Sequence, residues 1–145
     1  GPGDERLGVI DFQDALQGPV PYDLVALLCD SYVQLEPDLQ RRMIDRYLEG
    51  RGWSEAEAET FRRAFWIVAV HRKLKDAGRF VFIDRVRGNP AFLVHYPQSL
   101  AYVGRALGQQ DELAGLFELF CRLIPGFPSE VPQPAAGGCS PETTG

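Results

Sequence analysis

The amino-acid sequence predicts a mostly α fold with one short β element at its front. Apolar residues recur at helical spacing through most of the chain, as at Leu113, Leu116, Phe117, Phe120 and Ile124. Helix stops and starts punctuate that pattern, among them Gly-Arg-Gly at 50–52 and Ser-Glu-Ala-Glu at 54–57. Only one stretch, RLGVIDF at 6–12, joins β-branched residues to the short apolar run of a strand buried on both faces.

The elements follow in order. The strand at 6–12 comes after the turn-forming GPGDE, and no later segment reads as its partner. A lone strand leaves backbone donors and acceptors unpaired. A partner strand is therefore expected upstream of residue 1, and the chain is expected to be truncated there. QGPVP makes a loop, and Pro21 suits the first turn of a helix. That helix is predicted from Tyr22 to Val33, apolar nearly all round and hence central. Residues 38–49 are amphipathic, with Leu39, Met43, Ile44, Tyr47 and Leu48 on one face and Arg41, Arg42, Asp45, Arg46 and Glu49 on the other. Ser54 and Glu57 form a capping box for a helix expected to reach about Ala77. Gly78 either ends that helix or only weakens it, and RFVFIDRVR continues in helical or extended form. Pro97 opens a helix with Leu100, Val103 and Leu107, and a last helix is predicted over 110–124. The sequence PSEVPQPAAGGCSPETTG after Phe127 is expected to be a disordered tail, which leaves one domain over 1–127 and the tail over 128–145.

Composition narrows the function. With 145 residues and 45% hydrophobic content the chain is one globular domain's worth. A net charge of −5 argues against a nucleic-acid partner. No apolar run approaches the roughly 20 residues needed to cross a bilayer, so no membrane partner is expected. The first residues carry acids and glycines rather than a basic start, and no signal peptide is expected. Cys29, Cys121 and Cys139 are odd in number and widely spaced. They read as thiols in a reducing cytoplasm rather than a disulfide framework or a zinc site.

Three acids stand out at the front. Asp11 ends the predicted strand, a frequent place for a carboxylate that holds a hard cation such as Mg²⁺. Asp14 lies close enough to line the same cleft, and Asp23 falls in the first turn of the following helix, where a negative charge meets unpaired backbone donors. Each has a plainer rival. A strand-end Asp also bonds nearby backbone in a turn, QDALQG also reads as a solvated loop, and Asp23 reads first as a helix-orienting charge. His71, Arg72, Lys73, Lys75 and Arg79 make a basic patch, read as the end of the long helix, where cations satisfy the dipole or meet an anionic substrate. Trp53, Phe61, Phe65, Trp66, Phe80 and Phe82 are core aromatics or include a sugar-stacking ring.

The segment VIDFQDALQGPVPYDLVALL resembles the metal-binding segment of the aminoglycoside phosphotransferase family, small-molecule relatives of protein kinases. Ile10-Asp11-Phe12, Ala15, Gly18 and Tyr22-Asp23-Leu24 carry the likeness. DFQDAL and the later HRKLKDAGRF are similar to a branch that phosphorylates the cell-wall amino sugars N-acetylmuramate and N-acetylglucosamine. The resemblance implies the helical C-terminal lobe of a kinase-like fold without its N-terminal lobe, the missing lobe of the same protein being its partner. It implies ATP as donor and a small-molecule acceptor, an amino sugar or an aminoglycoside. It further implies Mg²⁺ held by Asp11 and a site braced by Asp23; it assigns Asp14 no role, and the acceptor contacts expected at Asp14, His71, Arg72 and Lys75 come from the residues themselves. The family's His-x-Asp loop with its following Asn is nowhere in this chain, so the catalytic Asp and Asn are expected outside it and the isolated chain is expected to be inactive. The rival reading is a non-catalytic helical interaction module that keeps a kinase-like segment for packing.

Overall fold

A computed structural model describes residues 15–127. The predicted strand at 6–12, Asp11, Asp14 and the tail at 128–145 lie outside the described residues. Among the described residues the secondary structure is helical: α1 (Tyr22–Leu28), α2 (Pro37–Arg51), α3 (Glu55–Arg87), α4 (Tyr96–Gly108) and α5 (Ala114–Leu123), with 3₁₀ turns at Pro90–His95 and Asp111–Leu113.

α1 is shorter than its apolar pattern predicts, ending at Leu28 rather than Val33. The Asp30 carboxylate accepts the Tyr32 backbone N–H at 2.8 Å, an Asx turn that competes with helical bonding. Val25, Leu28 and Cys29 are buried, whereas Leu27, Tyr32 and Val33 are more than half exposed among the described residues. A helix of two turns packed on α3 buries one side, not its whole circumference.

α2 matches its amphipathic pattern, with Pro37 in the first turn and Gly52 closing it in the left-handed conformation at φ 64°. Ile44 and Leu48 turn inward, and Met43 stays on the surface. α3 opens on the predicted capping box. Glu57 N–H donates to Ser54 Oγ at 3.4 Å, and Ser54 N–H donates to the Glu57 carboxylate at 2.8 Å.

The helix then runs through Gly78 without interruption to Arg87, and Gly88 at φ 65° ends it. Glycine costs a helix roughly 0.5–1 kcal/mol relative to alanine, too little to break one held on both sides. Ala77 before it and Phe80 after it are both buried, and Phe80 lies parallel to Phe92 with ring centroids 6.2 Å apart. The 33 residues make a rod roughly 50 Å long.

α4 is the principal partner of α3. Leu100, Val103, Ala106 and Leu107 face Phe61, Phe65 and Ala69 in one apolar cluster that also takes Val25 and Leu28 of α1. α5 begins at Ala114 rather than 110, after a 3₁₀ turn. Its Phe117 and Phe120 pack on the buried Phe127 at 5.9 and 5.5 Å.

Two substitutions check this account. Gly78→Ala meets open space and is expected to raise unfolding stability by roughly 0.5–1 kcal/mol. Gly88→Ala forces a side chain onto positive φ and is expected to lower it by about 1–2 kcal/mol. Urea denaturation of both variants measures the two signs.

Candidate functional site

Arg72, Lys75, Asp76 and Arg79 recur at spacings of three and four, so they share one face of α3. Opposite them lie Ala26 of α1 and the loop after it, with Asp30 and Tyr32. Together they bound a polar cleft of about 360 Å³. The basic patch therefore sits in the middle of α3, not at the C-terminus the sequence suggested, and the helix dipole has no part in explaining it.

Beneath the cleft floor Lys73 is 2% exposed. A buried ammonium has to be paired and hydrogen-bonded. Its Nζ is 2.7 Å from the Asp76 carboxylate and donates to Ser31 Oγ at 2.9 Å. Ser99 Oγ donates to the His95 carbonyl at 3.2 Å and lies 2.9 Å from Ser31 Oγ. With the Ser99 proton committed, Ser31 donates to Ser99. A single chain of hydrogen bonds thus runs from α3 through the loop after α1 to α4.

Arg72 is held from above, its guanidinium 4.8 Å over the Tyr22 ring, while its Nε is buried and without a hydrogen-bond partner among the described residues. Lys75 stands 3.9 Å from the second Asp76 oxygen. His71 is exposed and does not line the cleft. His95 packs edge-on against Tyr32, ring centroids 4.5 Å apart. Asp23 is exposed in the first turn of α1, next to Tyr22. Of the expected acceptor contacts, then, Arg72 and Lys75 come together and His71 does not join them. Phe61, Phe65 and Phe80 belong to the core, while Phe82 is half exposed and away from the cleft lining.

In the sequence Lys73 stands only as one of a run of cations. Its spacing of four from both Ala69 and Ala77 on the buried face is the signal that marks it as interior.

Behind this network Cys29 is buried, with the Gln40 amide donating to its Sγ at 3.2 Å and to the Leu28 carbonyl at 2.9 Å. Burial pushes the thiol from 9.0 up to about 12, against the lowering pull of Lys73 and Arg105. Burial also raises the Tyr102 phenol, and the neighbouring Cys29 adds to it. Neither group is a nucleophile near neutrality.

Among the described residues no three His, Cys, Asp or Glu side chains gather as a metal site. No described helix is long and apolar enough to cross a membrane.

Residues 2–65 match the phosphotransferase enzyme family. Over this segment the chain is similar to that family. The segment holds Asp11, Asp14, α1 with its Tyr22-Asp23-Leu24, α2 and the start of α3. The chain is 36% identical to the N-acetylmuramate/N-acetylglucosamine kinase of Pseudomonas putida over 128 residues, covering 82% of this chain and 36% of that protein. It is 37% identical over 123 residues to the protein of the same name from Neisseria meningitidis, with 82% of this chain and 37% of that one covered. The Pseudomonas aeruginosa counterpart is 36% identical over 123 residues, again covering 82% and 36%. The chain spans a little over a third of the length of these curated relatives, and the alignments are long enough to include all of α3. No solved structure matches it significantly.

Three outcomes test the site. Lys73→Met leaves the Asp76 carboxylate without its main partner and is expected to cost about 3 kcal/mol. Asp76→Asn is expected to cost a similar amount, and the double variant less than the sum, read from urea midpoints in a double-mutant cycle. For Cys29 the raised folded value means its contribution is whole below pH 9.0 and lost as pH rises toward about 12. Cys29→Ala is therefore expected to flatten the alkaline fall in stability over that window. Peptide mapping after thiol alkylation of the native protein is expected to find Cys121, which is exposed, modified before Cys29.

Proposed function

We propose that this chain supplies the C-terminal, acceptor- and metal-binding lobe of an ATP-dependent, cytoplasmic kinase that phosphorylates a hydroxyl of a cell-wall amino sugar, N-acetylmuramate or N-acetylglucosamine. The observation that carries the reading is the 36% identity over 82% of the chain to kinases bearing those substrates in their names. The Ile10-Asp11-Phe12 and Tyr22-Asp23-Leu24 pair inside the matched segment supports it.

In this reading Asp11 holds Mg²⁺. Its carboxylate is the hard oxygen donor such an ion takes, usually with one or two carboxylates and the rest of its shell from water and phosphate. When bound, the ion neutralises charge on the transferring phosphoryl group. Asp14 is an acceptor contact in this reading, and Asp23 braces the segment from the start of α1. The chain's own share of the work is then positioning: phosphoryl transfer asks the protein for alignment and electrostatics more than for covalent chemistry. The basic cleft on α3 supplies the acceptor side, through Arg72 and Lys75. Because no His-x-Asp loop followed by Asn occurs in the sequence, catalysis needs residues from the rest of the protein.

The complete protein, given ATP, Mg²⁺ and each sugar, is expected to release ADP in a sugar-dependent way. Asp11→Ala in it is expected to lower kcat by roughly a thousandfold, equivalent to several kcal/mol of lost charge stabilisation, with its circular dichroism unchanged. Retention of half the activity would remove the metal role. This polypeptide alone is expected to give no turnover.

A further inference from the structure

The geometry points to the α3 cleft as the subsite for an acceptor's carboxylate, with Arg72 and Arg79 as the groups that favour an acidic sugar over its neutral counterpart. The inference rests on the kinase reading above and adds a specificity that reading leaves open. N-acetylmuramate is N-acetylglucosamine carrying a lactic acid ether, so the two sugars differ by one carboxylate.

The charges of the cleft fit that carboxylate. Four cations, Arg72, Lys73, Lys75 and Arg79, meet two acids there, Asp30 and Asp76, in a chain that is otherwise net negative. Both acids are engaged: Asp30 by the Tyr32 backbone N–H, and Asp76 by Lys73 at 2.7 Å, with Lys75 at 3.9 Å. The cleft is net positive by two, neither arginine makes an ion pair among the described residues, and both carry the planar fork that grips a carboxylate in two parallel bonds.

Arg72 is also pre-set for the task. The Tyr22 ring lies 4.8 Å from its guanidinium carbon and restrains it, and its buried Nε–H has no partner among the described residues. A solvated surface arginine shows neither feature. Tyr22 belongs to the family-matched segment, so the stacking ties the anion subsite to the part of the chain that carries Asp11. The volume, about 360 Å³, is in the range of small-ligand sites, roughly 300–1,000 Å³. Ala26, Tyr32 and Phe80 supply the apolar part of its lining, which strengthens a charge pair formed there.

The test uses the complete protein and steady-state kinetics with both sugars. Arg72→Gln and Arg79→Gln are each expected to lower the ratio of kcat/KM for N-acetylmuramate to that for N-acetylglucosamine by about ten- to a hundredfold, chiefly through KM for the acidic sugar. A ratio that stays within twofold of the unaltered protein overturns the subsite. Should either variant fold poorly, the unaltered protein is assayed with N-acetylmuramate and its methyl ester. A KM at least tenfold higher for the ester supports the subsite, and equal KM values overturn it. If the complete protein phosphorylates neither sugar, the kinase reading itself falls and takes this subsite with it. A kinase that works on both sugars with an unchanged ratio leaves that reading standing and removes only the subsite.

Discussion

One ammonium group organises the described part of this molecule. Lys73 is almost wholly inside the core, and a charge there is tolerable only if partners come to it. Asp76 supplies the counter-charge from the next turn, Ser31 brings in the loop after α1, and Ser99 brings in α4. Hydrophobic contact alone fixes which faces meet, but it leaves helices free to slide. The lysine fixes the register of three elements at one point, and that point is the floor of the polar cleft.

The same arrangement explains why the cleft and the family-matched segment are neighbours. Arg72 precedes Lys73 and so leaves α3 on an adjoining face, where the Tyr22 ring receives it. Tyr22 opens α1 within the Tyr22-Asp23-Leu24 triplet that, with Ile10-Asp11-Phe12, carries the resemblance to phosphotransferases. Core, cleft and motif are therefore joined through two consecutive residues of one helix.

Much of the helical pattern was legible. Capping signals, glycine stops and apolar spacing placed α2, α4 and the start of α3 closely, because these are local effects written in neighbouring residues. What escaped were contests between local and distant terms. The continuation of α3 through Gly78 depends on Phe80 meeting Phe92, and no local rule weighs that contact against glycine's cost. The early end of α1 depends on Asp30 preferring a backbone partner to a helical turn. Of the site, the cationic residues were visible as a cluster, but their sorting was not. His71 points away, Lys73 goes inside and Arg79 joins the rim, a division set by the angular position of each residue relative to α4. Asp11, on which the proposed metal chemistry depends, and Asp14 lie outside the described residues.

The unbroken length of α3 has a further consequence. Its first half is cemented into the apolar cluster and its middle carries the cations, so the two are parts of one shaft. Adding or removing a single residue between Ala69 and Arg72 would turn everything beyond it by about 100°, swinging the arginines off their wall and the lysine out of its socket. A change in length is thus tolerated best at the joints on either side, Gly52–Trp53 and Gly88–Asn89, where it leaves the shaft's own register intact.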